Sequence, residues 1–140
     1  MASEFTLPLR VYIEDTDAGG IVYYVNYLKF MERARTELLR SYGYDKPAFW
    51  ADNLMFVVHS VDVNYRRPAQ LDDQLEVSAT IHNLGRTYFD VAQQVRRGDT
   101  VLCEGTVRVA NVTRDGMKPK AIPQEMRDRL MSNNSNNNWE

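Results

Sequence analysis

The chain has 140 residues, 17 basic and 19 acidic, with a formal net charge of −2. The length suits a single domain that buries its own core, the near-balanced charge excludes a broad electrostatic footprint for nucleic acid, and the lone cysteine, Cys103, excludes an internal disulfide and points to a reducing compartment. No apolar run approaches the roughly 20 residues that span a bilayer, and the opening MASEFTLPLR lacks the apolar core of a signal peptide, so the expectation is a soluble cytoplasmic protein with no integral membrane segment.

Phe5, Leu7, Leu9, Val11 and Ile13 alternate with Thr6, Arg10, Tyr12 and Glu14. That period of two is a strand, and Pro8 puts it near a sheet edge. A turn follows, with Asp15 and Asp17 just ahead of Gly19 and Gly20. The period then changes. Tyr27, Met31, Ala34, Leu38 and Tyr42 recur at three- and four-residue intervals, with charged residues between them, which is the face of an amphipathic helix. Asn26 is the candidate N-cap and Gly43 the natural stop. The stretch 45–53, DKPAFWADN, reads as a short helical turn or loop.

From there the pattern is strands. Residues 54–67 are rich in β-branched and aromatic types and end at Pro68. Leu75, Val77, Ala79 and Ile81 alternate up to a turn at 83–85. A further strand runs to the tight turn Arg97-Gly98-Asp99, and the last alternates through Val101, Cys103, Gly105, Val107 and Val109. Residues 123–132 read as a short final helix. The expected division is one domain, 1–131, and a polar tail, 132–140, too rich in asparagine to bury a core.

One strand, one long helix and four more strands cannot make a doubly wound sheet, which needs a helix at each parallel crossover. The expected fold is α+β: a curved, five-stranded antiparallel sheet wrapped around one helix. Five strands leave two unpaired edges, and one helix cannot cover the whole apolar face, so self-association is expected.

Standard catalytic patterns are absent. Two histidines, His59 and His82, both in predicted strands, and one thiol do not make a zinc pattern. There is no Gly-x-Ser-x-Gly elbow and no phosphate-binding Gly-rich loop ending in Lys. No cofactor is implied. Cys103, within an apolar strand, reads as an inert buried thiol, and His59, alternating with Val57 and Val61, as a packed or hydrogen-bonded structural residue. Asp15 and Asp17 remain. Spacing alone admits plain turn chemistry, since Asp makes Asx-turns and Gly supplies positive φ. It also admits a site: free N–H groups at a helix start can hold an oxyanion, and an adjacent carboxylate can act as base or nucleophile in acyl transfer.

The run "DTDAGGIVYYVNYLKFMERARTELLR" resembles the signature of the hotdog-fold thioesterases of the 4-hydroxybenzoyl-CoA thioesterase group. Within that group it is most similar to the acyl-CoA thioesterases encoded beside the Tol–Pal cell-envelope genes of Gram-negative bacteria. The likeness continues through "NYRRPAQLDDQLEV" and "GRTYFDVAQQV" and covers most of residues 7–112. It implies an acyl-CoA thioesterase with Asp17 as catalytic carboxylate and Asp15 as a turn residue. It implies an oxyanion and substrate-binding segment at Gly20, Val22, Tyr24 and Asn26, centred on the helix start near Tyr24. Tyr24 stands where close relatives often have histidine. The resemblance further implies a homodimer or homotetramer. Coenzyme A carries phosphates, so Arg66, Arg67, Arg86 and Lys118 are the candidate cations for it, beside the plainer reading of solvated surface charge. An acyl carrier protein is a second possible partner. Two other functions stay open at this point: a dehydratase on the same fold, which needs a histidine that neither His59 nor His82 supplies near the turn, and a non-catalytic module binding acyl-CoA or acyl carrier protein, or scaffolding lipid enzymes.

Overall fold

The computed structural model describes residues 4–44 and 55–135. The segment 45–53, expected as a turn or loop, lies outside them, as do residues 136–140 of the expected tail.

β1 (Phe5–Arg10) is the expected edge strand, but it stops at Arg10 rather than running to Glu14. Val11 is fully buried, and its N–H donates to the Asp73 carbonyl at 2.9 Å. The chain then tightens into one turn of 3₁₀ helix, Ile13–Asp15. Alternation between faces holds only while the backbone is extended. The tightening therefore corrects the expectation for Ile13, which is 75% exposed instead of facing the core.

α1 (Val25–Ser41) buries Tyr27, Phe30, Met31, Ala34 and Leu38. It starts earlier than expected: Tyr24 already has helical dihedrals (φ −57°, ψ −30°) and occupies the cap position, so Asn26 belongs to the first turn and is not the N-cap. Gly43, at φ 101°, ends the helix as anticipated.

β2 (Phe56–Tyr65), β3 (Gln74–Leu84), β4 (Tyr88–Arg97) and β5 (Thr100–Asn111) complete an antiparallel sheet of order β1-β3-β4-β5-β2. Leu75, Val77, Ala79 and Ile81 of β3 are buried as their alternation requires. In β5 the expected pattern slips. The register shifts opposite Val95 and Arg96, and Leu102, not Val101, is fully buried; a bulge gives one strand an extra residue and turns it. Both histidines occupy such irregularities, His59 between Val58 and Ser60, and His82 between Ile81 and Asn83. Both are exposed, which corrects the packed role expected of His59.

α1 lies against β1, β3 and β4. β2 is left as an edge on which Val58 and Val61 are exposed. α2 (Gln124–Ser135) tucks Met126 and Leu130 into the core and runs past the boundary expected at 131–132. The sheet register defines two ends. At the near end lie the last residues of β1 and β2, the first of β3 and the turn at Gly98, and there α1 begins, with the Tyr24 and Tyr27 rings 6.0 and 5.5 Å from that of Tyr65. At the far end lie the turn between β3 and β4, the end of β5 and the start of β2.

Candidate active site

The glycine turn is a small closed loop at the near end. Thr16 bridges Val22, the Asp17 N–H donates to the Ile21 carbonyl at 2.9 Å, and the Gly20 N–H returns to the Asp17 carbonyl at 3.1 Å. Gly20 has φ 83°, a conformation that side chains with a Cβ rarely adopt. The connection from β2 to β3 staples the loop from the other side. The Val22 N–H reaches the Ala69 carbonyl at 2.8 Å, the Leu71 N–H reaches the Gly20 carbonyl at 3.2 Å, and the Ala69 N–H donates to the Tyr27 hydroxyl at 2.8 Å. Burial raises the Tyr27 hydroxyl above its ordinary pKa, so the side chain stays a neutral anchor at neutral pH.

Two carboxylates leave this loop in opposite directions. Asp17 is exposed. Its Oδ1 accepts the Gly19 N–H at 2.8 Å, and among the described residues its Oδ2 has no partner. Asp15 is only 5% exposed. Its Oδ2 accepts the Tyr12 N–H and its Oδ1 accepts an Asn26 Nδ2–H, both at 2.9 Å.

Of the four residues expected to form the oxyanion and substrate segment, the structure separates the roles. The Gly20 and Val22 amides are committed to backbone carbonyls, and the Asn26 side chain is committed to Asp15. The Tyr24 amide is open, and so is that of Val25; among the described residues neither has a hydrogen-bond partner. Both are at the positive end of α1, where donors lack intrahelical acceptors. The Tyr24 ring, 59% exposed, leans on Tyr23 at 5.1 Å and on Tyr65. Beneath them Cys103 is buried, and burial pushes its thiol up to about 12, the inert thiol anticipated from its strand.

The candidate cations divide between the two ends. Arg66 and Arg67 directly follow Tyr65 at the near end. Arg66 is ion-paired with Glu104, while Arg67 is exposed. Arg86 sits in the turn between β3 and β4, and Lys118 follows β5; both are exposed at the far end of the same chain. Sequence reasoning missed the Val25 amide, the Tyr65 ring and the burial of Asp15. For Asp15 alternation gives no signal, since the same odd-numbered series leaves Ile13 exposed once the chain tightens into its 3₁₀ turn.

Comparison with known proteins gives the site a context. The profile of the thioesterase superfamily matches residues 19–104. The acyl-CoA thioester hydrolase YbgC of Escherichia coli O6:H1 is 42% identical over 123 residues, 87% of this chain and 92% of that protein. The acyl-CoA thioesterase YbgC of Haemophilus influenzae is 40% identical over 88% of this chain and 91% of its own length. Among solved structures, a probable thioesterase from Bartonella henselae superposes with a TM-score of 0.79 at 33% identity, covering 86% of this chain and all of that one. The hotdog-fold sheet around a helix is thus shared with proteins matched over nearly their whole length: the chain belongs to the thioesterase superfamily.

Proposed function

We propose that this thioester hydrolase acts on acyl-CoA, with Asp17 as its catalytic carboxylate and the Tyr24 amide, backed by that of Val25, as its oxyanion site. The observation that carries the reading is an exposed carboxylate oxygen without a partner among the described residues, on a loop that leads into a helix start with two open amides. The thioester carbonyl oxygen would accept from the amides. Charge that develops there in the tetrahedral intermediate meets donors already oriented, which lowers the barrier. Asp17 then has two routes. It can take a proton from water as the water oxygen bonds to the carbonyl carbon; the C–S bond breaks and the proton passes to the departing thiolate. Alternatively its own oxygen attacks and the C–S bond breaks, giving an acyl anhydride and the thiolate; water then hydrolyses the anhydride, returning the Asp17 carboxylate and releasing the proton that the thiolate takes up. The names of the relatives support hydrolysis over a non-catalytic binding role, since both YbgC proteins are called acyl-CoA hydrolases or thioesterases.

The assembly in this reading is a homodimer through β2, with a tetramer as a further pairing. β2 is a ten-residue edge strand without proline or lysine, the devices that usually blunt an edge. Closed two-fold pairing of identical strands runs antiparallel. It would bring the far end of one chain beside the near end of the other, and with it the partner subunit's Lys118 and, further off, the partner subunit's Arg86. The test of the function is thiol release from a panel of acyl-CoA and acyl-carrier-protein thioesters. Asp17→Asn is expected to lower kcat at least roughly a hundredfold, the scale of losing a general base, while the melting temperature holds. Retained turnover would remove Asp17 from the mechanism, and no release from any thioester would favour the binding module.

A further inference from the structure

Asp15 is a buried carboxylate with no cation among the described residues to pair with. A lone buried carboxylate is costly, so its neighbours must explain it. Both are donors: the Tyr12 backbone N–H on Oδ2 and the Asn26 side-chain N–H on Oδ1. A carboxylate only accepts, whereas an amide or a protonated acid would turn a donor towards one of these donors. The backbone of the same residue is engaged as well. The Asp15 N–H donates to the Tyr12 carbonyl at 2.9 Å and its carbonyl accepts the Tyr23 N–H at 3.0 Å.

These bonds tie together two segments, and the Asp15–Asn26 bond is the side-chain link that reaches into the first turn of α1, beyond the Thr16–Val22 bridge that closes the loop. Asp15 is two residues from Asp17, on the entering arm of the loop. Asn26 is one and two residues from Val25 and Tyr24, in the first turn of α1. We infer that the Asp15–Asn26 hydrogen bond is the clamp that sets the distance between the Asp17 carboxylate and the open amides, which makes Asp15 and Asn26 positioning residues for thioester hydrolysis. Neither is required to touch the substrate. The negative charge also sits at the positive end of the helix, which favours it there. The inference rests on the reading of Asp17 and the amides given above.

A reciprocal exchange tests it. Asp15→Asn should leave two side-chain amides facing each other, and Asn26→Asp two carboxylates. Each single variant should lower kcat by roughly ten- to a hundredfold, the scale of a displacement near 1 Å in a catalytic group, with KM moved much less. The double variant Asp15→Asn/Asn26→Asp restores one donor and one acceptor in the reversed order, and still leaves an acceptor for the Tyr12 N–H. It should recover kcat to within about fivefold of the wild type, if geometry is what the clamp supplies. Wild-type kcat in either folded single variant, or a folded double variant as slow as the singles, would overturn the clamp. If a single variant does not fold, the double variant decides alone. Asp17→Asn run alongside keeps the two readings apart: an active Asp17→Asn enzyme refutes the site, whereas an inactive one with no recovery in the double variant refutes only the clamp.

Discussion

The two ends of the sheet solve the same problem differently. Each collects loops and strand ends whose backbone groups need partners. At the far end one side chain, Asn111, closes the account. It is fully buried; its Oδ1 accepts the Met55 N–H at 3.2 Å, and its Nδ2 donates to the Lys120 and Ala121 carbonyls at 3.3 and 3.2 Å. Its own N–H reaches the Thr87 carbonyl at 2.8 Å and its carbonyl accepts the Lys120 N–H at 2.9 Å. At the near end the loop is stapled too, yet among the described residues the Tyr24 and Val25 amides and one oxygen of Asp17 have no partner. A buried side chain is committed to backbone groups at one end, whereas two donors and an acceptor are left without partners among the described residues at the other. Groups spared in that way are available to a ligand that can displace water.

The sharpest way to break this contrast is to delete an open amide. Tyr24 has φ −57°, which proline adopts without strain. Tyr24→Pro should cut kcat roughly a hundredfold, as removal of one oxyanion donor does. Tyr24→Phe, which keeps the amide and loses only the hydroxyl, should stay within about threefold of wild type on that same reasoning. Steady-state rates on one acyl-CoA distinguish them. Equal losses in both variants would shift the role from the backbone to the side chain.

At the far end the expected effect moves from rate to stability. Asn111→Ala strands the Met55 N–H and two carbonyls in a buried site. The cost should be roughly 2–3 kcal/mol, since unsatisfied buried polar groups are expensive. Denaturant midpoints would read it, and kcat per folded molecule should not change. A fall in kcat at preserved stability would mean that the two ends are not independent.

How far the sequence could be read follows the same line. Period-two alternation placed the buried face of β3 and Cys103, Val107 and Val109 of β5, and Gly43 and the Arg97-Gly98-Asp99 turn punctuated the chain where the backbone indeed needs positive φ at Gly43 and Gly98. These signals are local. The end of β1, the bulges at His59 and His82 and the inward turn of Leu102 depend on register with a neighbouring strand, and no window of sequence contains that neighbour. The site divides likewise. The choice of Asp17 comes from resemblance to a family, because spacing alone favours turn chemistry, and the Gly19 N–H on Asp17 is indeed an Asx-turn. Which amides remain open, and which carboxylate is buried, depends on Ala69, Tyr12 and Asn26, brought in from outside the glycine turn. Arg66, Arg67, Arg86 and Lys118 look alike along the chain, and only topology assigns them to opposite ends.

That assignment yields the smallest and most discriminating effect. If β2 pairs with β2 of a second copy, the far end of each chain borders the near end of the other, and Lys118 serves its neighbour's site. Lys118→Ala should then raise KM for acyl-CoA a few-fold, less at high salt, as a solvent-exposed charge on a phosphate would, with kcat little changed. Hybrid dimers locate the residue. Combine a subunit carrying Asp17→Asn with one carrying Lys118→Ala. The surviving site has the intact Asp17 of the second subunit, and its cation comes from the first, where Lys118 is unaltered. Pairing across β2 therefore predicts wild-type KM for the residual activity. If Lys118 served its own chain, the surviving site would carry the substitution and show the raised KM. An active monomer at micromolar concentration by sedimentation would dispose of the pairing altogether, and would leave the exposed Val58 and Val61 on β2 to be explained in some other way.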